Sequence, residues 1–413
     1  MKGFKVVKIG GSVLRKPTDY TFVAQKISDN LPNNVCVVTS AMKGHTSTLA
    51  EVFLDATSTP DFYNFERFVG MGEVLSAILF ESVFKKLGKN ALAVLPWMKQ
   101  WPLFISLQNK RPLSSVKSNE LREFFLLEKS KSIAKKYFPE LFGAYDIIII
   151  PGFIAKDGRG RIVTLGRGGS DISALLVGEL INARELVLLK DIDGIANLDP
   201  SIEKEYTRIE TINSDELGAI ASSGAQVVNP ISLKHRNKLK KMKVVSVNSD
   251  FLNSGTEISF GKKITVKYSH TIYSVITFIG NKIPETHGIL FEISKILTAK
   301  KISIHSITIS DNILALYVND EKASCVYRSL SPLIARIENL KVLNIRRNIG
   351  KVIVRSLRFI NESGIIKKIV VPISREGINI WEILSVHTDI MVFVDEKDLR
   401  YTYKIIKKIF EKK

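Results

Sequence analysis

The sequence predicts an α/β chain in which one larger domain built on an open sheet is followed by two small α+β repeats. Three observations predict it. From Ile147 to Pro200 the chain reads strand, turn, strand, glycine cluster, helix, strand and acidic loop, the order of an open sheet whose strands deliver binding loops at their carboxyl ends. A second passage from strand to glycines opens the chain, where Phe4 to Ile9 leads into Gly10-Gly11-Ser12. From Ile264 onward β-branched strands alternate with short amphipathic helices, and the same order occurs twice. A chain of 413 residues also exceeds the size at which single cores stop growing, so two or three domains are expected.

In the central stretch, the strand Arg161 to Leu165 ends in Gly166, Gly168 and Gly169 around Arg167, before Ser170-Asp171 and a helix marked by Ile172, Leu175, Leu176 and Leu180. Glycines at that junction let backbone N–H groups approach an anion, and the first helical turn favours negative charge. Glu185 to Leu189 is a buried strand that ends in Lys190-Asp191-Ile192-Asp193-Gly194, which supplies a positive charge and carboxylates for Mg²⁺. Lys8 stands at the edge of the first glycine turn as a compact charge for a phosphoryl group, although the same residues also read as an ordinary first strand and turn. The turn is neither a Walker A loop nor a G-x-G-x-x-G fingerprint.

Between these passages lie a helix from Tyr20 to Asn30 and a strand from Val35 to Thr39 that delivers Ser40 to Thr46, whose hydroxyls and amides suit a carboxylate-bearing ligand or simply cap a helix. Phe62 to Leu87 reads as helical, with Gly70-Met71-Gly72-Glu73 in its course. Two glycines cost about 1 kcal/mol each inside a helix, which points to close packing or a ligand at Glu73. A strand spans Leu92 to Leu95, Pro96 to Ser118 is irregular, and Asn119 to Tyr137 reads as a charged helix. After Pro200 come a helix from Ser214 to Ala221, a basic helical run from Lys234 to Lys241 and a strand from Val244 to Asn248. In the repeats, Val275 to Ile279, Leu290 to Ala299, Ile302 to Ile309 and Ile313 to Val318 form the first copy. The second has Val352 to Leu357, Ile365 to Ser374, Ile378 to Ser385, Ile390 to Val394 and a final helix.

The formal charge of +19 comes from 60 Lys and Arg spread along the length against 41 Asp and Glu. With no nucleic-acid-binding motif beside it, this charge fits an anionic substrate such as ATP and gives no reason to expect nucleic acid as a partner. Cys36 and Cys325 sit in apolar contexts far apart, which favours free thiols in a reducing compartment. No apolar run approaches about 18 residues and no signal peptide is read, so a cytoplasmic protein without a membrane partner is expected.

Taken in order, Lys8-Ile9-Gly10-Gly11-Ser12, Ser40-Ala41-Met42-Lys43-Gly44-His45-Thr46, Gly72-Glu73, Gly152-Phe153-Ile154, Leu165 to Asp171, and Asp191-Ile192-Asp193-Gly194 with Asp199-Pro200 resemble the aspartate kinases of the amino-acid kinase superfamily. The resemblance spans nearly the whole chain. It implies a three-layer αβα catalytic domain with a mostly parallel sheet over residues 1–262 and two ferredoxin-like ACT domains over 263–345 and 346–413. It also implies ATP-dependent phosphorylation of the side-chain carboxylate of L-aspartate, with ATP and Mg²⁺ as cofactors, an amino-acid effector at the ACT domains and a homodimer or higher homo-oligomer. Lys8 and Asp171 would be catalytic, and Ser40, Thr46, Glu73, Phe153, Arg167 and Ser170 would bind aspartate. Gly10, Gly11, Ser12, Gly168, Gly169, Lys190, Asp191, Ala196, Asp199 and Gln226 would border the nucleotide together with Lys8, and no residue is assigned as a dedicated metal ligand.

The chain departs from the family at the nucleotide end. Ala196 replaces an aromatic residue, Ser201 a basic one, Gln226 a lysine and Asn229 a histidine. A stacking ring and two charges are lost there, with Lys190 as a substitute cation. Two alternatives stay open from the sequence: a non-catalytic amino-acid sensor, and a kinase of the same superfamily acting on another carboxylate or phosphate.

Overall fold

The computed structural model describes residues 4–31, 33–57, 61–107, 124–166, 168–199, 202–222, 239, 241–251, 254–260, 264–356, 359 and 363–410. The chain divides into two compact units, Met1–Gly261 and Lys262–Lys413. Arg167, Ser201, Gln226, Asn229, residues 108–118 of the Pro96 to Ser118 stretch and all of the Lys234 to Lys241 run except 239 and 241 lie outside the described residues.

The first unit runs through β1 (Lys5–Ile9), α1 (Pro17–Asn30), β2 (Val35–Thr39), α2 (His45–Ala56), α3 (Phe62–Val69), α4 (Met71–Lys86) and β3 (Ala91–Ala93). It continues with β4 (Ile105–Leu107), β5 (Phe124–Leu126), α5 (Glu128–Ala144), β6 (Ile147–Pro151), β7 (Ile154–Lys156), β8 (Ile162–Thr164), α6 (Gly169–Leu180) and β9 (Glu185–Lys190). It closes with β10 (Ile195–Ala196), β11 (Arg208–Ile209), β12 (Thr211–Asn213), α7 (Ser214–Ser222), β13 (Lys241–Ser246) and β14 (Thr256–Ser259). Eight described strands make one sheet in the order β12-β14-β13-β9-β1-β2-β6-β3, parallel except where β13 meets β14.

Alternation along β1 decides what each face does. Val7 and Ile9 join Tyr20, Val23 and Ile27 of α1 and Ala77, Phe80 and Phe84 of α4 in one buried cluster. Val6 faces the other way, within reach of α6 at Gly178, and Lys8 shares that face. Helices therefore cover both sides of the sheet, giving the three-layer αβα domain with a mostly parallel sheet. Among the described residues no helix is long and apolar enough to cross a membrane.

Several stretches of the first unit differ from the sequence reading; Lys241, expected at the end of a basic helical run, opens the strand β13. The single helix expected over Phe62 to Leu87 is two helices that meet at Gly70, the cap of both, which has φ −72° and ψ −7° and is packed against Ile154 with no room for a side chain. The charged helix expected from Asn119 begins at Glu128 instead. Phe124 to Leu126, read as part of that helix, pair with Ile105 to Leu107 as a strand, since their backbone finds a partner edge there.

The second unit comprises β15 (Thr265–Tyr268), β16 (Tyr273–Gly280), α8 (Ile289–Ala299), β17 (Ser306–Ile309), β18 (Ile313–Asn319), α9 (Ala323–Leu330), α10 (Leu333–Arg336) and β19 (Leu340–Arg355). After these come α11 (Ile365–Arg375), β20 (Ile380–Val386), β21 (Asp389–Asp395) and α12 (Glu396–Phe410). Its sheet runs β17-β18-β16-β19-β21-β20, with β15 also on β19. The 16-residue β19 serves both halves: its first part pairs with β16 and its second with β15 and β21. The division expected between 345 and 346 thus falls inside one continuous strand. Val266 of β15 packs with Val352, Val354 and Ile369 of the second half, so the first half is inserted into the second rather than preceding it.

Candidate functional site

Adjacent parallel strands end together, and their exits build the site. Lys8 lies in register with Val38 of β2 and Leu188 of β9, so the turns after β1, β2 and β9 emerge at one edge. The ladder carries on past the strand ends: Gly10 N–H donates to Leu189 O at 3.3 Å, Ser40 N–H to Ile9 O at 3.0 Å and Gly152 N–H to Thr39 O at 2.8 Å. Beneath these turns lies a cleft of about 370 Å³ lined by Lys8, Gly11, Ser40, Thr46, Glu73, Phe153, Gly168, Gly169, Ser170 and Asp171.

On one side of the cleft the Lys8 ammonium sits 2.7 Å from Asp171 Oδ1, with both side chains about nine-tenths buried. Asp171 lies in the first turn of α6, whose cap is Gly168 in the left-handed region at φ 71°. An aspartate there faces the positive end of the helix and a cation together, an arrangement that fixes a buried ammonium in place. Burial pushes the Lys190 ammonium down, and the positive charge of Lys8 adds to that push.

Opposite stands Glu73, in the first turn of α4 and 3% exposed. Its Oε1 accepts the Ala41 N–H at 3.3 Å, while its Oε2 has no partner. Burial raises its carboxyl to about 8, against the lowering effect of the Ala41 N–H. A carboxylate oxygen left unmatched in a cleft is a place for a cationic group of a ligand. The first turn of α2 adds Thr46 to the rim, behind the left-handed cap Gly44.

Phe153 has φ 63° and packs against Gly169 so closely that a Cβ there would lie 2.7 Å from its ring. Gly152 is just as confined by its own strand exit, because a Cβ would stand 2.9 Å from Thr39 O and 3.0 Å from Ser170 Cβ. Gly152→Ala is therefore expected to cost about 1–3 kcal/mol of stability in urea unfolding, since backbone must move to admit the methyl group. An unchanged unfolding midpoint would show that Ser170 is not held by this contact.

Of the other sequence candidates among the described residues, Gly10, Ser12, Lys190, Asp191, Ala196 and Asp199 lie off the lining of this cleft. Ser12 Oγ donates to Asp191 Oδ1 at 3.0 Å, which ties the β1 and β9 turns together. Ala196 pairs across β10 and β11 with Arg208, and Arg208 forms an ion pair with Asp193, so a cation missed by the sequence reading stands at that end. Asp199 accepts the Ile202 N–H in the next turn through its backbone carbonyl. Ala41, Met42, Lys43 and Gly44 also line the cleft without having been named as site residues; the contiguous motif from Ser40 to Thr46 was the available signal. Among the described residues no group of three or more His, Cys, Asp or Glu is placed to hold a metal ion. Asp191, an exposed carboxylate beside the Ser12 hydroxyl, fits a magnesium ion that takes most of its ligands from phosphate and water.

The model of the amino acid kinase family matches residues 3–245. The chain belongs to the amino acid kinase family. An ACT domain model matches residues 344–408 as well, so this amino acid kinase carries a second recognisable module. An aspartokinase of Helicobacter pylori (strain ATCC 700392 / 26695) is 26% identical over 426 residues, covering 98% of this chain and 98% of that protein. The structure of aspartate kinase from Synechocystis superposes with a TM-score of 0.72 at 19% identity, over 98% of this chain and 69% of that one. Escherichia coli aspartokinase III, solved with aspartate and ADP, superposes with a TM-score of 0.53 at 19% identity, over 99% and 100% of the two chains. These two structural likenesses establish the fold of the amino acid kinase.

Proposed function

We propose that this amino acid kinase is an aspartate kinase, which transfers the γ-phosphoryl group of ATP to the side-chain carboxylate of L-aspartate. The product would be 4-phospho-L-aspartate, which opens the synthesis of lysine, threonine and methionine. One observation carries the reading: a single cleft holds a buried ammonium, Lys8 with Asp171, facing a buried carboxylate, Glu73, with an unmatched oxygen. An amino acid that presents a carboxylate to the first and an ammonium to the second lies across it. The relative from Helicobacter pylori, alike over its whole length, bears the same activity in its name.

In the reaction, a carboxylate oxygen of aspartate attacks the γ-phosphorus, the bond to the β,γ-bridging oxygen breaks, and ADP leaves with that electron pair. The attacking carboxylate has an ordinary pKa of about 3.9 and is ionised at neutral pH, so no general base is needed. Lys8 neutralises charge on the moving phosphoryl group, and Asp171 keeps its ammonium aimed there. Glu73 takes the α-ammonium, Ser40, Thr46, Phe153 and Ser170 shape the aspartate pocket, and Arg167 takes the α-carboxylate. Gly10, Gly11, Ser12, Gly168, Gly169, Lys190, Asp191, Ala196, Asp199 and Gln226 border the nucleotide. Asp191 would hold Mg²⁺, which supplies charge neutralisation to the phosphates when bound. The second unit, read as two ACT halves, senses an amino acid, and its sheet edges pair in a homodimer or larger assembly.

A coupled assay of ADP release from Mg-ATP tests this directly. Turnover is expected with aspartate in preference to glutamate, N-acetylglutamate, uridylate and carbamate. Turnover with aspartate no higher than that of Lys8→Ala removes the reading. Preference for another acceptor moves the chain elsewhere in the superfamily. The loss of aromatic and basic residues at Ala196 and Ser201 supports a second reading, a non-catalytic amino-acid sensor. Calorimetry that detects amino-acid binding without ATP binding would favour it.

A further inference from the structure

Glu66 is a buried carboxylate that the proposed reaction does not use. It lies on α3 with no exposed surface, and its Oε2 accepts both the Thr164 N–H at 2.7 Å and the Thr164 hydroxyl at 2.6 Å. Thr164, likewise fully buried, is the last residue of β8. The β7–β8 hairpin stands apart from the main sheet, and the edge of β8 where a third strand would add its carbonyls is met by this carboxylate instead. One turn earlier on α3, Tyr63 stacks under the guanidinium of Arg161, the residue before β8, at 3.5 Å, so the helix grips this segment at both ends.

Beyond Thr164 the chain forms one wall of the cleft. Leu165 N–H donates to Phe153 O at 2.7 Å and Gly169 N–H to Gly166 O at 2.9 Å. Gly166 and Gly168 both have positive φ, 78° and 71°, a backbone conformation that glycine adopts without strain. A carboxylate that accepts two bonds in a dry site makes stronger bonds than a neutral acceptor would, and it is costly to keep there without a purpose. The same α3–α4 arm carries Glu73 into the cleft seven residues later.

We infer that Glu66 is a positioning residue for the acceptor end of the cleft, fixing Thr164 and through it the Leu165, Gly166 and Gly168 backbone against Phe153. The inference rests on the proposed kinase reading for its kinetic consequences but not for its structural one. Glu66→Gln weakens both bonds while keeping an acceptor oxygen, and Thr164→Val removes only the hydroxyl, so each variant is a mild change from which folding is expected to survive.

In the full-length protein each variant is expected to raise the KM for the acceptor about tenfold while the KM for ATP moves less than about twofold, the size expected from weakening charge-assisted hydrogen bonds. The double variant is expected to fall short of the sum of the two single effects, because the two residues share a contact. Amide hydrogen exchange is expected to speed up across residues 162–172 and to stay unchanged in β1 and α4. Equal rises in both KM values with a general loss of protection would reduce Glu66 to a stabilising residue, and unchanged exchange across 162–172 would overturn the inference. If the wild type phosphorylates no acceptor, the proposed function fails and the exchange result alone decides the role of Glu66.

Discussion

Lys8→Ala is expected to lower kcat for phosphoryl transfer by about 10²–10³-fold, the loss seen when one preorganised charge is removed from a developing oxyanion. It also leaves Asp171 in a nearly dry site without the cation that stands 2.7 Å away. Breaking a buried pair from one side typically costs about 3–5 kcal/mol. The two effects separate in a double variant: Lys8→Met with Asp171→Asn removes both charges, so stability in urea unfolding is expected to recover while kcat stays low. Recovery of both, or of neither, would mean that the pair is structural.

Glu73→Gln is expected to raise the KM for aspartate about 100-fold, as befits loss of one partner in a desolvated charge pair, with little change in the KM for ATP. The same side chain sets the pH dependence. Burial lifts its carboxyl to about 8, so at neutral pH the unliganded site is mostly protonated, whereas an ammonium ligand binds the ionised form. Binding therefore releases a proton, and the KM for aspartate is expected to fall by up to about tenfold per pH unit between pH 6 and 8 and to level off above.

Stability of the unliganded protein moves the opposite way. Because the folded-state value is raised from 4.5, this group's contribution is full below about 4.5 and is lost as pH rises through about 8. Lys8, Lys43 and Asp171 line the same cleft, and Tyr20 of α1 lies behind it, so the difference between wild type and Glu73→Gln isolates the effect. A flat KM profile in the wild type would show that Glu73 is already ionised in the empty site.

Local pattern made the nucleus of the site legible. Lys8 and the glycines after it, and Gly168 to Asp171, declare themselves because strand, glycine turn and helix start are adjacent in sequence. The features that stayed hidden depend on packing across distance. Glu66 and Thr164 stand 98 residues apart, and no periodicity announces that one will meet the other. Phe124 to Leu126 sit next to a charged helical stretch, and only the facing strand Ile105 to Leu107 makes them extended. Likewise, the strand expected from Val352 is only the far end of β19, and nothing local tells how far it extends or which strands lie on either side. The insertion of one half of the second unit within the other was therefore not readable, and β15, α9, α10 and most of β19 went unread as well, although the remaining strands and helices of the unit were expected.

Acyl phosphates react with hydroxylamine to give hydroxamates, and trapping of this kind puts carboxylate phosphorylation in this cleft to its most direct trial. With Mg-ATP and aspartate, the wild type is expected to form aspartyl hydroxamate in step with ADP, and Lys8→Ala to form next to none. ADP release without hydroxamate, or equal hydroxamate from the variant, would contradict a transfer to carboxylate centred on Lys8 and Asp171.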